Sequence, residues 1–265
     1  MLPALFQRVL RERWKGLVGW SLGLIALVGI QVSVYPTIRD SRQDWSDVTE
    51  QFPEAFRKMF RMEDYTSPTG YLTTELFSFL IPMIFIGLAT TWGARAAAEE
   101  EENGTADVLL SLPVSRTSIL FTRMTATLFT VGLLSVVTTG SLLIGTTTIN
   151  MSVGVSRIIE ATASCALLAL VFGGIAVGAS AWTGHRGIGL GAGLGVAIAA
   201  FVLYSLAPLV TFIEHLLPVN PFQWTLGQTP LVDGMDPLKS AISLAVTLAF
   251  SALAVIGFKR HDIAS

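Results

Sequence analysis

An all-α membrane protein with six spanning helices is the fold class this sequence predicts, and three observations predict it. Charged residues make up only 14% of the chain and hydrophobic ones 52%, whereas soluble domains carry about 25% charged residues. A mean hydropathy of +0.62 leaves too little polar surface to wrap a core of 265 residues, so apolar side chains must also face lipid. Six apolar stretches are long enough to cross, since a helix rising 1.5 Å per residue needs roughly 20 residues to span about 30 Å of hydrocarbon.

Those stretches run over 16–35, 71–95, 117–147, 157–183, 187–212 and 240–258. In the segment before them, 1–15, Leu2, Leu5, Phe6, Val9 and Leu10 recur at helical spacing, and Gln7, Arg8, Arg11 and Glu12 take the other side. That pattern predicts an amphipathic helix lying in a membrane interface. Arg8, Arg11, Arg13 and Lys15 ahead of an apolar run also outline a secretory signal, but the run is too long for one and lacks a small-x-small cleavage pattern. Lys259 and Arg260 make the other end basic as well, and basic flanks at both ends predict that both termini are cytoplasmic.

The loops are unequal. In the first outer loop, 36–70, Phe52, Phe56 and Phe60 recur at i, i+4 and i+8 opposite Arg57, Lys58 and Arg61, which predicts a short amphipathic helix. Spans four and five are joined by 184–186 alone, forcing a tight hairpin. The segment 213–239 carries Pro218, Pro221, Pro230 and Pro237 around a semi-apolar run at 222–226. It is too broken to cross and reads as re-entrant or interfacial. No repeat or linker interrupts the chain, so it forms a single membrane domain.

Nothing in the sequence looks catalytic. His185, His215 and His261 fall on different loops or at the chain end without ligand-spaced partners. Cys165, the only cysteine, can build neither an intrachain disulfide nor a thiolate cluster and reads as a small buried hydrophobe. The stretch ending Lys239-Ser240 mimics a phosphate loop, but Leu238 stands where a glycine must be. A net charge of −2 and a pI near 5.9 give no sign of a nucleic-acid partner. Gly187, Gly191 and Gly195 form one small-residue row in span five, Gly189 and Gly193 a second, and Gly174 and Gly178 another in span four. Such rows let membrane helices approach closely. Glu75, Glu160 and Glu214 all fall near outer ends, and the lack of a deeper charge argues against ion-coupled transport.

The most specific region is 96–116, within the run GARAAAEEEENGTADVLLSLPVSR at 93–116. Gly104 breaks the helix leaving span two, Thr105 can cap a new one, Asp107 favours its positive end and Pro113 stops it. The outcome is a helix of about two turns with Val108, Leu109 and Leu112 apolar at the cytoplasmic face. An exposed apolar knob needs a partner. A turn resting on neighbouring helices is the alternative, and spacing alone does not decide between them.

This run closely resembles the G-A-R-x-x-A-x-E-E-x-x-G-T-x-x-x-L-L-S-x-P-V-S-R stretch of ABC-2 type permeases, the membrane subunits of one class of ATP-driven exporters. Tyr35-Pro36, Thr69-Gly70-Tyr71-Leu72 and the basic tail Gly257-Phe258-Lys259-Arg260 are similar to the family's as well. Within the family the chain looks most like bacterial and archaeal half-size permeases of antibiotic or drug efflux. The resemblance implies an N-terminal connecting helix, a re-entrant 213–239 segment and a coupling helix at 104–113. Glu101, Glu102, Gly104, Thr105, Asp107, Val108, Leu109, Leu112, Pro113 and Arg116 would then engage an ATP-binding subunit. Two copies of that subunit would hold the ATP and Mg, and this chain would bind no cofactor itself. A second permease, identical or related, would be met mainly through spans two and five, in the cell membrane. An amphipathic or hydrophobic cargo such as an antibiotic, drug or lipid would pass between them, along Phe77, Phe79, Phe85, Phe201 and Tyr204. One departure is the run of four glutamates at 99–102, which leaves the match to the family's acidic pair ambiguous by a residue or two. The rival readings are an ion-coupled carrier or channel without an ATPase, and a non-transporting membrane scaffold.

Overall fold

The structure is a computed structural model that describes the backbone of residues 2–62, 64–102 and 115–260, with side chains except those of 2–5, Phe60, 99–102 and Arg116. Its helices are α1 (Leu2–Asp40), α2 (Arg42–Glu50), α3 (Glu54–Phe60), α4 (Pro68–Leu72), α5 (Leu80–Glu102), α6 (Arg116–Thr148), α7 (Val155–Thr183), α8 (Arg186–Leu206), α9 (Thr211–Glu214), α10 (Pro221–Thr225) and α11 (Pro237–Arg260). No strand occurs among the described residues. Six helical stretches are long and apolar enough to cross a membrane: Phe6–Asp40, Pro68–Ala98, Thr117–Thr148, Val155–Thr183, Arg186–Leu206 and Pro237–Arg260. An even number of crossings places the start of α1 and the end of α11 at one face, the proximal face. Residues 41–67 and 207–236 lie at the opposite, distal face.

Two boundaries differ from the sequence expectation. The amphipathic segment is not set off from the first span by a break: α1 runs on for 39 residues, because nothing between Pro3 and Pro36 removes a backbone donor. At the other extreme α8 stops at Leu206, short of the expected 212: Ala207 is still helical and donates to the Leu203 carbonyl, but Pro208 has no N–H to continue the ladder. The first outer loop holds α3 where the phenylalanine spacing pointed, with Phe52 and Phe56 stacked at 5.1 Å. It also holds α2, which the sequence reading did not resolve.

Helix α7 is the central post. Helices α5, α6, α8 and α11 all pack on it, while α1 lies outside against α6. Small residues set these distances. A Cβ on Gly93 of α5 would come 2.6 Å from the Gly173 carbonyl oxygen of α7, and Phe250 of α11 rests over Gly174 and Gly178. The two glycine rows of α8 part company. A Cβ on Gly189 or Gly193 would run into Ala176, Ser180 or Phe172 of α7, whereas one on Gly187, Gly191 or Gly195 would meet nothing within 4 Å. Hydroxyls within the spans are largely satisfied by their own helices: Thr90 donates to the Ile86 carbonyl (2.7 Å), Thr146 to Leu142 (2.7 Å) and Ser243 to Lys239 (3.0 Å). The tight hairpin is closed by Gly184, whose left-handed φ of 68° ends α7 and whose N–H donates to the Ser180 carbonyl at 2.9 Å.

Candidate functional site

At the proximal face, α5 ends at Glu102 and α6 begins at Arg116, so the loop between them emerges where both chain ends lie. Ser115 caps α6, its Oγ accepting from the Ser118 N–H at 3.3 Å. Gly104, Thr105, Asp107, Val108, Leu109, Leu112 and Pro113 lie outside the described residues, as do the side chains of Glu101, Glu102 and Arg116. What the structure does explain is the first half of the motif. Ala94, Ala96, Ala97 and Ala98 are buried, and Ala96 and Ala97 pack with Leu120, Val177, Ala181 and Ala254. Small side chains here let α5, α6, α7 and α11 converge under the loop. Two cations stand around that junction: the Arg13 guanidinium lies 4.9 Å over the Trp92 ring, and buried Arg123 donates to the Ala96 carbonyl at 3.4 Å.

At the distal face the two other family-like motifs prove to be one structure. Gly70 is obliged to be glycine because a Cβ there would lie 1.9 Å from the Asp64 carbonyl. Ser67 caps α4 by accepting from the Gly70 N–H at 3.0 Å, with Pro68 in the first helical turn. This directs fully buried Tyr71 inward, where its hydroxyl donates to the Gln31 carbonyl at 3.0 Å and its ring lies 5.3 Å from that of Tyr35. Beyond α4 the chain widens into a π-helical turn, Thr73–Phe77, a feature frequent at functional sites. Within it Glu75 accepts from the Tyr65 hydroxyl (2.8 Å) and from Gln31 Nε2 (3.2 Å). Burial, with Glu75 beside it, pushes the Tyr65 phenol above its ordinary range.

The π-helical turn also brings the aromatic residues together. Phe77, Phe79, Phe201 and Tyr204 line a single cleft of about 290 Å³, together with Met59, Arg61 and Leu226. Phe79 is half-exposed and its ring lies 5.2 Å from Phe201, while Phe77 is buried. Phe85 is not part of this cleft; it is enclosed in the core. The broken distal segment supplies Phe222, fully buried, whose ring meets Phe172, Phe201 and Tyr204 at 5.8, 5.6 and 5.8 Å. Asn220 fastens that segment: its Nδ2 donates to the Ala200 carbonyl (2.8 Å) and its Oδ1 accepts from the Phe222 N–H (3.0 Å). A second fastening is Gly234, φ 89°, which lies over the Arg157–Glu160 pair (3.1 Å) while Glu160 accepts the Met235 N–H at 3.1 Å.

Arg61 is the residue that sequence reasoning missed. It ends α3 in a left-handed conformation, φ 56°, and Thr74 Oγ1 donates to its carbonyl at 2.8 Å. Its Nη1 donates to the Leu226 carbonyl (2.9 Å) and to Thr229 Oγ1 (3.1 Å), and its Nη2 donates to the Tyr204 hydroxyl. Thr229 is itself left-handed, φ 47°, which for such residues costs roughly 1–3 kcal/mol and clusters at functional sites. No short-range pattern reveals this, because the partners lie 143 to 168 positions away.

The six apolar crossings, with a motif loop rooted at the face of the termini and an aromatic cleft at the other, define a multi-pass membrane protein. Residues 4–263 match the ABC-2 family transporter protein family, and the chain belongs to it. Members are the membrane component of ABC transporters and associate with an ABC ATPase subunit. No curated protein matches the chain.

Proposed function

We propose that this chain is the export permease of an ATP-driven efflux complex in the cell membrane, moving amphipathic or hydrophobic compounds such as antibiotics, drugs or lipids. The observation that carries the reading is the family match across 4–263, joined to a 103–114 loop rooted between α5 and α6 at the face of both termini. Two ATP-binding subunits hold the ATP and Mg, and the 104–113 helix, with Leu109 in its apolar side, takes up their closing movement. The alanines of α5 pack directly on α6, α7 and α11, so a push that reaches this end of α5 is shared among four spans. A second permease, identical or related, completes the path; the outward Gly187, Gly191 and Gly195 row of α8 offers it a flat face.

Co-purification tests the complex: the chain should bring down a nucleotide-binding protein, with two permeases per assembly. Leu109→Asp should abolish both that association and substrate-stimulated ATP hydrolysis. Unchanged assembly and stimulation in this variant overturn the coupling role.

A further inference from the structure

We infer that the distal cleft beside Arg61 binds the anionic head, phosphate or carboxylate, of an amphiphile whose tail lies against Phe77, Phe79, Phe201 and Met59. The first argument is charge. Every partner of the Arg61 guanidinium is neutral: a backbone carbonyl, two hydroxyls and the face of the Tyr204 ring at 5.3 Å. Among the described residues no carboxylate lies in salt-bridge reach of it. A part-buried cation left with only neutral partners holds a positive potential that an anion would relieve. Asp64 and Glu214 line the two neighbouring clefts that share Arg61, and neither lines the aromatic one.

The second argument is preorganisation. Three hydrogen bonds and the neighbouring Tyr204 ring fix the guanidinium, so little side-chain freedom is lost on binding. They are made by Nη1 and Nη2, and among the described residues the Nε–H takes no part in them. A planar guanidinium anchored at its far end presents that N–H to an oxygen of a phosphate or carboxylate. The backbone adds to this: Arg61 is the left-handed C-cap of α3, and the Met62 N–H donates to the Arg57 carbonyl at 2.9 Å to close the helix end that carries the guanidinium.

The third argument is shape. Beside this cation aromatic, thioether and leucine side chains, with three hydroxyl residues among them, surround about 290 Å³, and Phe79 is half-exposed. A site with one fixed charge and an apolar flank selects an amphiphile rather than a simple ion. The inference deepens the export reading, resting on it only for what the ligand does after binding.

The test uses the purified full chain in phosphatidylcholine nanodiscs, with labelled dodecyl phosphate and dodecyltrimethylammonium as probes. Dodecyl phosphate should bind saturably and the cation should not. Arg61→Gln should weaken the anion by at least about tenfold, the scale of a lost charge-assisted pair. Ser205→Glu, which adds a carboxylate to the cleft wall without removing any Arg61 contact, should do the same and decides the matter should Arg61→Gln misfold. Affinity within about twofold of wild type in a folded variant, or equal binding of the cation, overturns the proposal. Competition by phosphatidylglycerol in the disc identifies a bilayer lipid as the ligand, and its absence identifies a diffusible amphiphile; either supports the site. Binding without stimulation of the partner's ATP hydrolysis upholds the site and sinks the export reading. Stimulation that survives loss of binding does the reverse.

Discussion

Adding one methyl group to α5 should have opposite effects at two glycines about one and two-thirds turns apart. Gly87 has nothing within 4 Å of a built Cβ, whereas Gly93 would place that carbon 2.6 Å from the Gly173 carbonyl oxygen and 3.0 Å from Val177 Cγ2. Alanine in a helix interior is favoured over glycine by about 1 kcal/mol, and both variants gain this equally. Only Gly93→Ala meets the backbone of another helix. A carbonyl cannot swing aside as a side-chain tip can, so α5 and α7 must separate, at an overpacking cost of about 1–3 kcal/mol. The propensity gain cancels in the comparison, so Gly93→Ala should be less stable than Gly87→Ala by about 1–3 kcal/mol. Cys165 provides the assay, because it is fully buried in α7: labelling by a thiol-reactive fluorophore during heating reports opening of the central post. Should Gly93→Ala melt at or above Gly87→Ala, the close α5–α7 approach is not what holds this end together.

Other expectations follow from the distal face. Asn220→Ala removes a cap and a buried donor, and should destabilise by about 1–3 kcal/mol, read as faster amide hydrogen exchange over 220–226. Gly234→Ala forces a Cβ into the Arg157–Glu160 pair at a positive φ and should free this segment to proteolysis, whereas Glu160→Gln should cost under about 1 kcal/mol because the pair is partly solvated. Tyr65 has its folded phenol raised above the ordinary 10.0, so its contribution is intact below that pH and falls as pH climbs above it. Tyr65→Phe should therefore flatten the alkaline limb of the melting profile, and an unchanged limb would show that Tyr65 does not set it.

The spans were legible because a bilayer crossing needs a long unbroken apolar run, and such runs occur by chance too rarely to mislead. Motifs were legible as patterns but not as causes. That Gly70 yields to the Asp64 carbonyl, or that the Tyr35 and Tyr71 rings meet at a tilt, depends on loop geometry no spacing encodes. The glycine rows of α8 show the limit well: 187, 191, 195 and 189, 193 have the same chemistry and periodicity, and only the position of α7 decides which row is used within the chain. Of the aromatic residues expected to share a path, Phe77, Phe79, Phe201 and Tyr204 meet because α8 and the π-helical turn adjoin. Phe85 lies further along α5 and faces the core. Arg61 looked like the solvated side of an amphipathic turn, since its partners come from segments distant in the chain.

The unbroken first helix has a mechanical consequence. At 39 residues it is about 58 Å long, well beyond the roughly 30 Å of a hydrocarbon core. It carries Arg13 on Trp92 near one end and Tyr35 on Tyr71 near the other. No proline falls between Arg13 and Tyr35, so this stretch is a stiff strut. One turn before Tyr35, Val32 is clamped against Gly145 of α6, where a Cβ would meet it at 3.2 Å. A tilt imposed near Arg13 would then reach the tyrosines across the membrane as a small rotation about that clamped end.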